Sequence, residues 1–473
     1  MISAAALAQG AALTVTSTPG TLRSQIGDGA ADVTELTVNG AVDASDLEFV
    51  NYELKALRTL DLSGATIASY TGDRLASGRT ASRADMVPDY AFTGSPAISI
   101  ILPASVKEIG EGAFAASAIT DITIPSGVTS IGTSAFADCN ALTAIKLPDA
   151  LTTLGKGAFR GCTSLTRAEL GSALAVVPER AFAGCGKLAT VTFPAALREI
   201  GSMAFYGTAL ENLTVSKCPE LRTVGDWAFA ASPKLKNIYL PSAPLELGKG
   251  TFFSNEVLEA DLSALVKGVD SIPSYAFAGN CSMKVTKFED TYLKEIGDYS
   301  LRGLSAVDTI TLPASLEYIG TEAMSGWAGL TTMDARLLGE KVPELGRDVW
   351  QGIAQSDVAL VVTTPQSMIF SATPQWQNFA MKILDPTAIE GITADAQGAT
   401  VSGYISGDLL TLESQGADIL GFQLYDLQGR MIAIPQAAPA QTVTVGLDGA
   451  GTSVVVVRVL LADSTVAVLK LAR

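Results

Sequence analysis

The chain has 473 residues, 48% of them hydrophobic, enough to bury a sizeable core and too many for a disordered chain. With 48 acidic residues against 32 basic ones the net charge is −16, so the surface repels nucleic-acid phosphates and anionic lipid heads, which argues against a nucleic-acid partner. There is no histidine, which removes Ser-His-Asp triads, Cys-His dyads and histidine-containing metal sites together.

The opening "MISAAALAQGAALTV" has a short apolar patch and an A-x-A triplet but no basic residue before Arg23, the pattern of a trimmed secretion signal. Residues 1–85 otherwise hold two strand-like runs, "ELTVNG" and "LRTLDLSG". Between them lies an amphipathic helix with Leu47, Val50 and Leu54 at helical spacing. One apolar face and one polar face are what a unit capping a repeat array requires, so 1–85 is predicted to be a cap. Asp61 in "LDLSG" reads as a strand or turn residue.

A motif then recurs: "VPDYAF", "IGEGAF", "IGTSAF", "LGKGAF", "VPERAF", "IGSMAF", "VGDWAF", "LGKGTF", "IPSYAF", and the looser "IGDYSL", "IGTEAM" and "LGRDVW". The last residues are Phe92, Phe114, Phe136, Phe159, Phe182, Phe205, Phe229, Phe252, Phe277, Leu301, Met324 and Trp350, spaced 22 to 26 residues apart. Between the copies runs L-x-x-I-x-L-P, as in "LTAIKLP", "LKNIYLP" and "VDTITLP". Each unit reads as a strand, a turn at Pro or Gly, a short second strand ending in "IG", and a compact helical turn carrying Ala-Phe. No unit can close a core alone; stacked, each covers its neighbour's apolar face. The prediction is a mainly β solenoid of coils with short helical turns, its phenylalanines in a central column. At the strand spacing, twelve coils span roughly 55–60 Å.

At these residues the chain resembles a known family. "LPASVKEIGEGAFAASAITDITIP" and "FRGCTSLTRAEL" are similar to the BspA-like branch of the leucine-rich repeat proteins, and the likeness covers about residues 86–384. "TPQSMIFSATPQWQNFAMKIL" resembles the closing coil of such arrays, with Trp376 and Phe379 plugging the core. The resemblance implies an exported protein, secreted or on the cell surface, as in Bacteroidetes and some other microbes, that adheres or binds a partner.

Residues 385–473 begin with the linker "DPTAIEGI" and continue as strand-like runs split by Gly, Asp and Ser turns, which predicts a small β-sandwich. "LYDLQGRMI", "VGLDGAGTSVVVVRV" and the basic ending Lys470 and Arg473 are similar to the C-terminal sorting domains of the type IX secretion system. "GAGTSVVVV" replaces that family's usual strand, so a structural tail module and an export signal both stay open. The run "VVVVRVLLA" is interrupted by Arg458 and is far shorter than the roughly 20 residues that span a bilayer, so no membrane insertion is expected.

Chemistry is sparse. Cys139, Cys162 and Cys185 each follow a motif phenylalanine by three positions; ladder side chains project in parallel, so they are predicted to be buried free thiols, with Cys218 and Cys281 outside the register. Gly110, Gly132, Gly155 and Gly201 mark a corner needing either positive φ or close backbone approach. "GKGAF" and "GKGTF" lack the rest of a phosphate-binding loop. Glu108, Glu111 and Asp121 read as a solvated acidic face, and the sequons at Asn212 and Asn280 carry no weight outside a eukaryotic secretory pathway. No catalytic residue, cofactor or metal is expected.

Binding, if present, belongs on outward columns. The middle outward position of the first strand gives Ile101, Thr123, Lys146, Glu169, Thr192, Thr214, Tyr239, Thr311 and Asp334. A second column, two residues before the motif phenylalanine, gives Tyr90, Trp227, Tyr275 and Tyr299, whose rings either stack on sugars or pack along a flank. The leading expectation is a non-enzymatic exported interaction protein whose partner, a host or microbial protein, meets Lys146, Glu169, Thr192, Thr214, Tyr239, Thr311, Trp227 and Tyr275. The alternatives are a surface glycan-binding protein and a carbohydrate-active enzyme.

Overall fold

The computed structural model describes residues 10–76, 78–339, 341–384, 400–406, 409–425, 431–433, 439–446, 454–462 and 466–472. They fall into two compact units, the first ending at Val358 and the second beginning at Ala359.

The first unit starts with a parallel sheet in which Ala11–Ser17 pairs with Val33–Val42, and Val33–Val42 with Thr59–Asp61. Thr59–Asp61 pairs onward with Ser99–Ile101, so the sheet continues from the N-terminal region into the first repeat coil. The helix between the strands, Ala44–Glu53, begins with a reciprocal cap, Asp43 accepting from the amides of Ser45 and Asp46 while the Asp46 carboxylate accepts from Asp43. It buries Leu47, Phe49 and Val50. Asp46 also accepts from the amides of Gly20 at 2.8 Å and Leu22 at 2.9 Å, tying the first loop to the helix. Asp61 ends its strand and accepts from the Ser63 amide at 2.8 Å, a turn residue as expected.

Each repeat coil has three sides. The first strands lie parallel and in register, Ala144–Lys146 on Arg167–Glu169 on Thr190–Thr192. A proline then opens the turn to the second strand; the carbonyls of Pro103, Pro125, Pro148, Pro194 and Pro313 each accept from the amide three residues on. The third side is the Ala-Phe corner.

The helical turn predicted there resolves into consecutive i→i+3 turns with alternate amides aimed at the next coil. Around Phe136 the amides of Ser134, Phe136 and Asp138 donate to Lys156, Ala158 and Arg160 at 2.9, 2.7 and 2.6 Å. Those of Ala135 and Ala137 instead close turns on Gly132 and Ser134. The same triplet recurs without a gap from Tyr90, Phe92 and Gly94 to Tyr299, Leu301 and Gly303. Its backbone is unusual: the residue two before the motif position has φ of 48–62° and the residue two after has φ of 54–84°, in every coil. Non-glycine residues pay about 1–2 kcal/mol in this region. Three coil-to-coil hydrogen bonds and a buried ring hold them there. From Phe92 to Phe277 consecutive rings stack at 4.9–5.7 Å, each essentially inaccessible.

The glycines after the second strand are needed for proximity. Gly110, Gly132, Gly155 and Gly201 do not have positive φ, and a Cβ on any of them would lie 2.2–2.7 Å from backbone of the preceding coil. Each donates its amide to the end of the preceding second strand; Gly155 bonds Ile131 at 2.7 Å. Where proline takes the slot that donor is missing. The second strands accordingly form three separate sheets of four, beginning at Met86–Val87, Val176–Val177 and Ser271–Ile272, immediately before Pro88, Pro178 and Pro273.

In the second unit, Ala359–Val362 pairs in parallel with Ala380–Ile383 across the helix Thr364–Ala372. Trp376 is buried there, edge-on to Phe370 at 5.0 Å and 6.2 Å from Phe379. Two antiparallel sheets follow, one of Thr400–Ser406, Leu409–Gln415 and Thr442–Gly446, the other of Met431–Ala433, Ile419–Tyr425, Val454–Leu461 and Val466–Ala472. Alternate residues of both meet in one core, Val401, Leu410 and Leu412 against Phe422, Val457 and Leu469, which is the expected β-sandwich. The runs that resemble a sorting domain lie partly outside the described residues, as does Arg473.

Candidate interaction surface

The first-strand face is built from the parallel pairing: with a period of two, the central residue of each strand, such as Ile145 or Ala168, is buried and the residue after it turns outward. Lys146, Glu169 and Thr192 stand in register on three consecutive coils. Lys146 Nζ lies 3.7 Å from Glu169 Oε2, and Arg167 Nη2 donates to Glu169 Oε1 at 3.1 Å. Exposed pairs of this kind contribute about 0–1 kcal/mol, so exchanging them for a partner's charges costs the fold little. Thr214 and Tyr239 form a second pair, with Tyr239 51% exposed. Thr311 pairs with Asp334 in a third sheet. The column is therefore not one strip: Lys146, Glu169 and Thr192 come together, Thr214 joins Tyr239, and Thr311 stands apart from both.

Trp227 and Tyr275 belong to the other column, where the left-handed backbone sends the side chain off the corner. Gly250 between them carries no side chain, and a Cβ there would sit 2.4 Å from the Trp227 ring, so the indole lies across that coil. It reaches Tyr275 at 6.0 Å, and Tyr275 stacks on Tyr299 at 4.8 Å with 14° between planes. Phe253 fits edge-on between Trp227 and Tyr275, and Lys249 lies over the Tyr275 ring at 5.2 Å. The ring faces are thus turned toward one another along the array and their edges outward. Stacking on a sugar requires an exposed face, so this geometry favours packing along a flank. Tyr90 is elsewhere, hydrogen-bonded to Glu111 beside the Arg79–Asp89 ion pair. Phe253 was not singled out in the sequence because it belongs to a different repeat position.

The thiol column has a role that spacing alone did not reveal. Cys139, Cys162 and Cys185 donate to the carbonyls of Phe114, Phe136 and Phe159, the motif residues one coil back, at 3.0–3.1 Å. Ser232, Asn255, Asn280 and the Trp327 indole do the same in later coils. In these seven coils the slot is a buried donor that satisfies the preceding motif carbonyl, whereas the coil of Leu301 carries Leu304 there. All five cysteines are free, and Cys281 alone is exposed. Contact with the Cys162 sulfur, then burial, raises the Cys139 thiol well above its ordinary range. Cys162 is lowered by its contact with Cys139 but raised overall by Cys185 and burial, and Cys218 is raised by burial. Asn280 is fully buried with its amide committed, so its sequon is not a glycan site.

Among the described residues no group of three or more His, Cys, Asp or Glu side chains is placed to hold a metal ion, and no helix is long and apolar enough to cross a membrane. Parallel coils of 22 to 26 residues, each closed by a corner centred on a buried apolar residue, phenylalanine in nine of the twelve, define a leucine-rich-repeat solenoid. The chain belongs to the BspA-type leucine-rich repeat family, whose model matches six copies over residues 85–211, 164–278 and 270–349, more than half of the chain. Among solved structures it is similar to a leucine-rich repeat protein from Bacteroides ovatus, with 22% identity, a TM-score of 0.58, and coverage of 79% of this chain and 92% of that one. This likeness is one of fold. The pneumococcal vaccine antigen PcpA (17% identity, TM-score 0.36, 68% of this chain and 84% of that one) is more distant. So is a leucine rich cell surface protein from Faecalibacterium prausnitzii (20% identity, TM-score 0.32, 59% and 86%). No curated protein matches. Family membership points to a protein-interaction or surface-binding role, in a family of repeat proteins rather than of enzymes.

Proposed function

We propose that this protein is a non-enzymatic, exported interaction protein that binds a protein partner through the first-strand face of its repeats. The observation that carries the reading is the register of Lys146, Glu169 and Thr192, followed by Thr214 with the exposed Tyr239. A rigid parallel backbone that presents charged and aromatic side chains has little backbone entropy left to lose on binding, which favours recognition of a protein surface. Export rests on the resemblance of the repeats to exported BspA-type proteins. The division into a cap (1–85), a repeat array with its closing coil (86–384) and a C-terminal sandwich (385–473) belongs to the same proposal, with the array as the binding module.

The test is affinity capture with the full chain as bait, beside a Lys146→Glu, Glu169→Lys, Tyr239→Ala variant of unchanged circular dichroism. A partner kept by the wild type and lost by the variant supports the proposal; equal retention by both removes this face. A glycan array run with Trp227→Ala and Tyr275→Ala separates out the sugar reading: binding lost in those variants replaces the protein partner with a glycan. Turnover of any polysaccharide in a hydrolase panel overturns the non-enzyme reading.

A further inference from the structure

We propose that the array is jointed between the coils of Phe252 and Phe277, opening there like a book about its corner ladder. Two of the three sides of the solenoid are interrupted at this junction. The second-strand ladder stops at Glu246–Leu247 and restarts at Ser271–Ile272, because Pro273 stands where a glycine donates in neighbouring coils, such as Gly248 to Val224 and Gly297 to Ile272. The first-strand ladder stops at Asn237–Tyr239, and the following coil turns into the short helix Leu262–Leu265. A single backbone bond, Glu259 to Lys236 at 2.9 Å, remains on that side.

The corner alone is complete, with Gly250, Phe252 and Ser254 donating to Ser274, Ala276 and Ala278 at 2.8–2.9 Å. Other breaks in the array are braced. At Pro178 the first strands stay paired, Ala144–Lys146 on Arg167–Glu169. Between Thr190–Thr192 and Asn212–Thr214 the second strands stay paired, Glu199–Ile200 on Thr223–Val224. On the open side lies a cleft lined by Leu245, Leu247, Val266, Ile272 and Phe277.

The joint places Lys146, Glu169, Thr192, Thr214 and Tyr239 on one side and Thr311 on the other, so flexing reorients the two parts of the outer face. This inference is independent of what the face binds.

Spin-label distance measurements test it in the full chain carrying Cys281→Ser to remove the exposed thiol. The pair Val176→Cys and Glu246→Cys spans three coil steps inside one second-strand sheet; Thr223→Cys and Glu295→Cys spans three steps across the joint. The crossing pair is expected to give the broader distance distribution, and Pro273→Gly, which restores the donor for Leu247, to narrow it toward the in-sheet width. Equal widths for the two pairs overturn the joint. A broad crossing pair unchanged by Pro273→Gly overturns the assignment of proline as its cause, and amide exchange at Leu247 no faster than at Val224 and Ile319 overturns the open side.

Discussion

Two left-handed residues flank each motif phenylalanine, and the side chains found there show what the corner tolerates. Nine of the twelve leading positions hold a residue other than glycine, Tyr90, Trp227, Tyr275 and Tyr299 among them. The cost is recoverable one residue at a time. Ala231→Gly should stabilise by up to about 1 kcal/mol, whereas Gly184→Ala, whose added carbon meets nothing closer than 3.8 Å, should cost about 1–2 kcal/mol from φ alone. Thermal melts of the two variants check both signs. Phe159→Ala removes a ring stacked on both sides and should cost about 3–5 kcal/mol, read from denaturant midpoints at constant m-value. The thiols make a further prediction. Burial and raised pKa values keep Cys139, Cys162 and Cys218 protonated at pH 8, and Cys185 is buried, so a maleimide should label one site, Cys281, in the native protein and five after denaturation.

At the level of elements, the repeat was legible because an apolar residue every 22 to 26 positions has no other economical explanation than a stack. The first strand, the second strand, the helix Ala44–Glu53 and the sandwich all follow from periodicity, and each stands where it was expected. Periodicity could not reveal how the corner is bonded. Left-handed backbone at Trp227 or Tyr275 contradicts their own preference and exists only because the neighbouring coil fixes it. The glycine slot was legible as a corner, but only coordinates decide between positive φ and contact, and contact is the answer. Proline in that slot, visible in "VPERAF" and "IPSYAF", divides the second-strand ladder into sheets. Pro178→Gly should therefore join the first two sheets, and the amide of residue 178 should then exchange as slowly as those of Gly155 and Gly201. The division of the first-strand column among three sheets depends on where pairing lapses, which no single-residue pattern carries.

For the repeat unit as a whole, the claim that organises the rest is that the corner, rather than either strand face, is the continuous structure. Strand ladders lapse at several coils while the triplet of corner bonds runs on from Tyr90 to Gly303, beside a column of stacked rings and a column of buried donors. The strand faces are then free to vary in side chain and in pairing. Residue-resolved native-state hydrogen exchange tests this most directly. The account predicts that the amides of Phe114, Phe136, Phe159, Phe182, Phe205, Phe229 and Phe252, with those two residues either side, form one uninterrupted class of slowest exchangers, through Pro178 and up to Pro273. Corner amides that exchange as fast as those at the lapses of the strand ladders, or slow exchange confined to the strands, would contradict it.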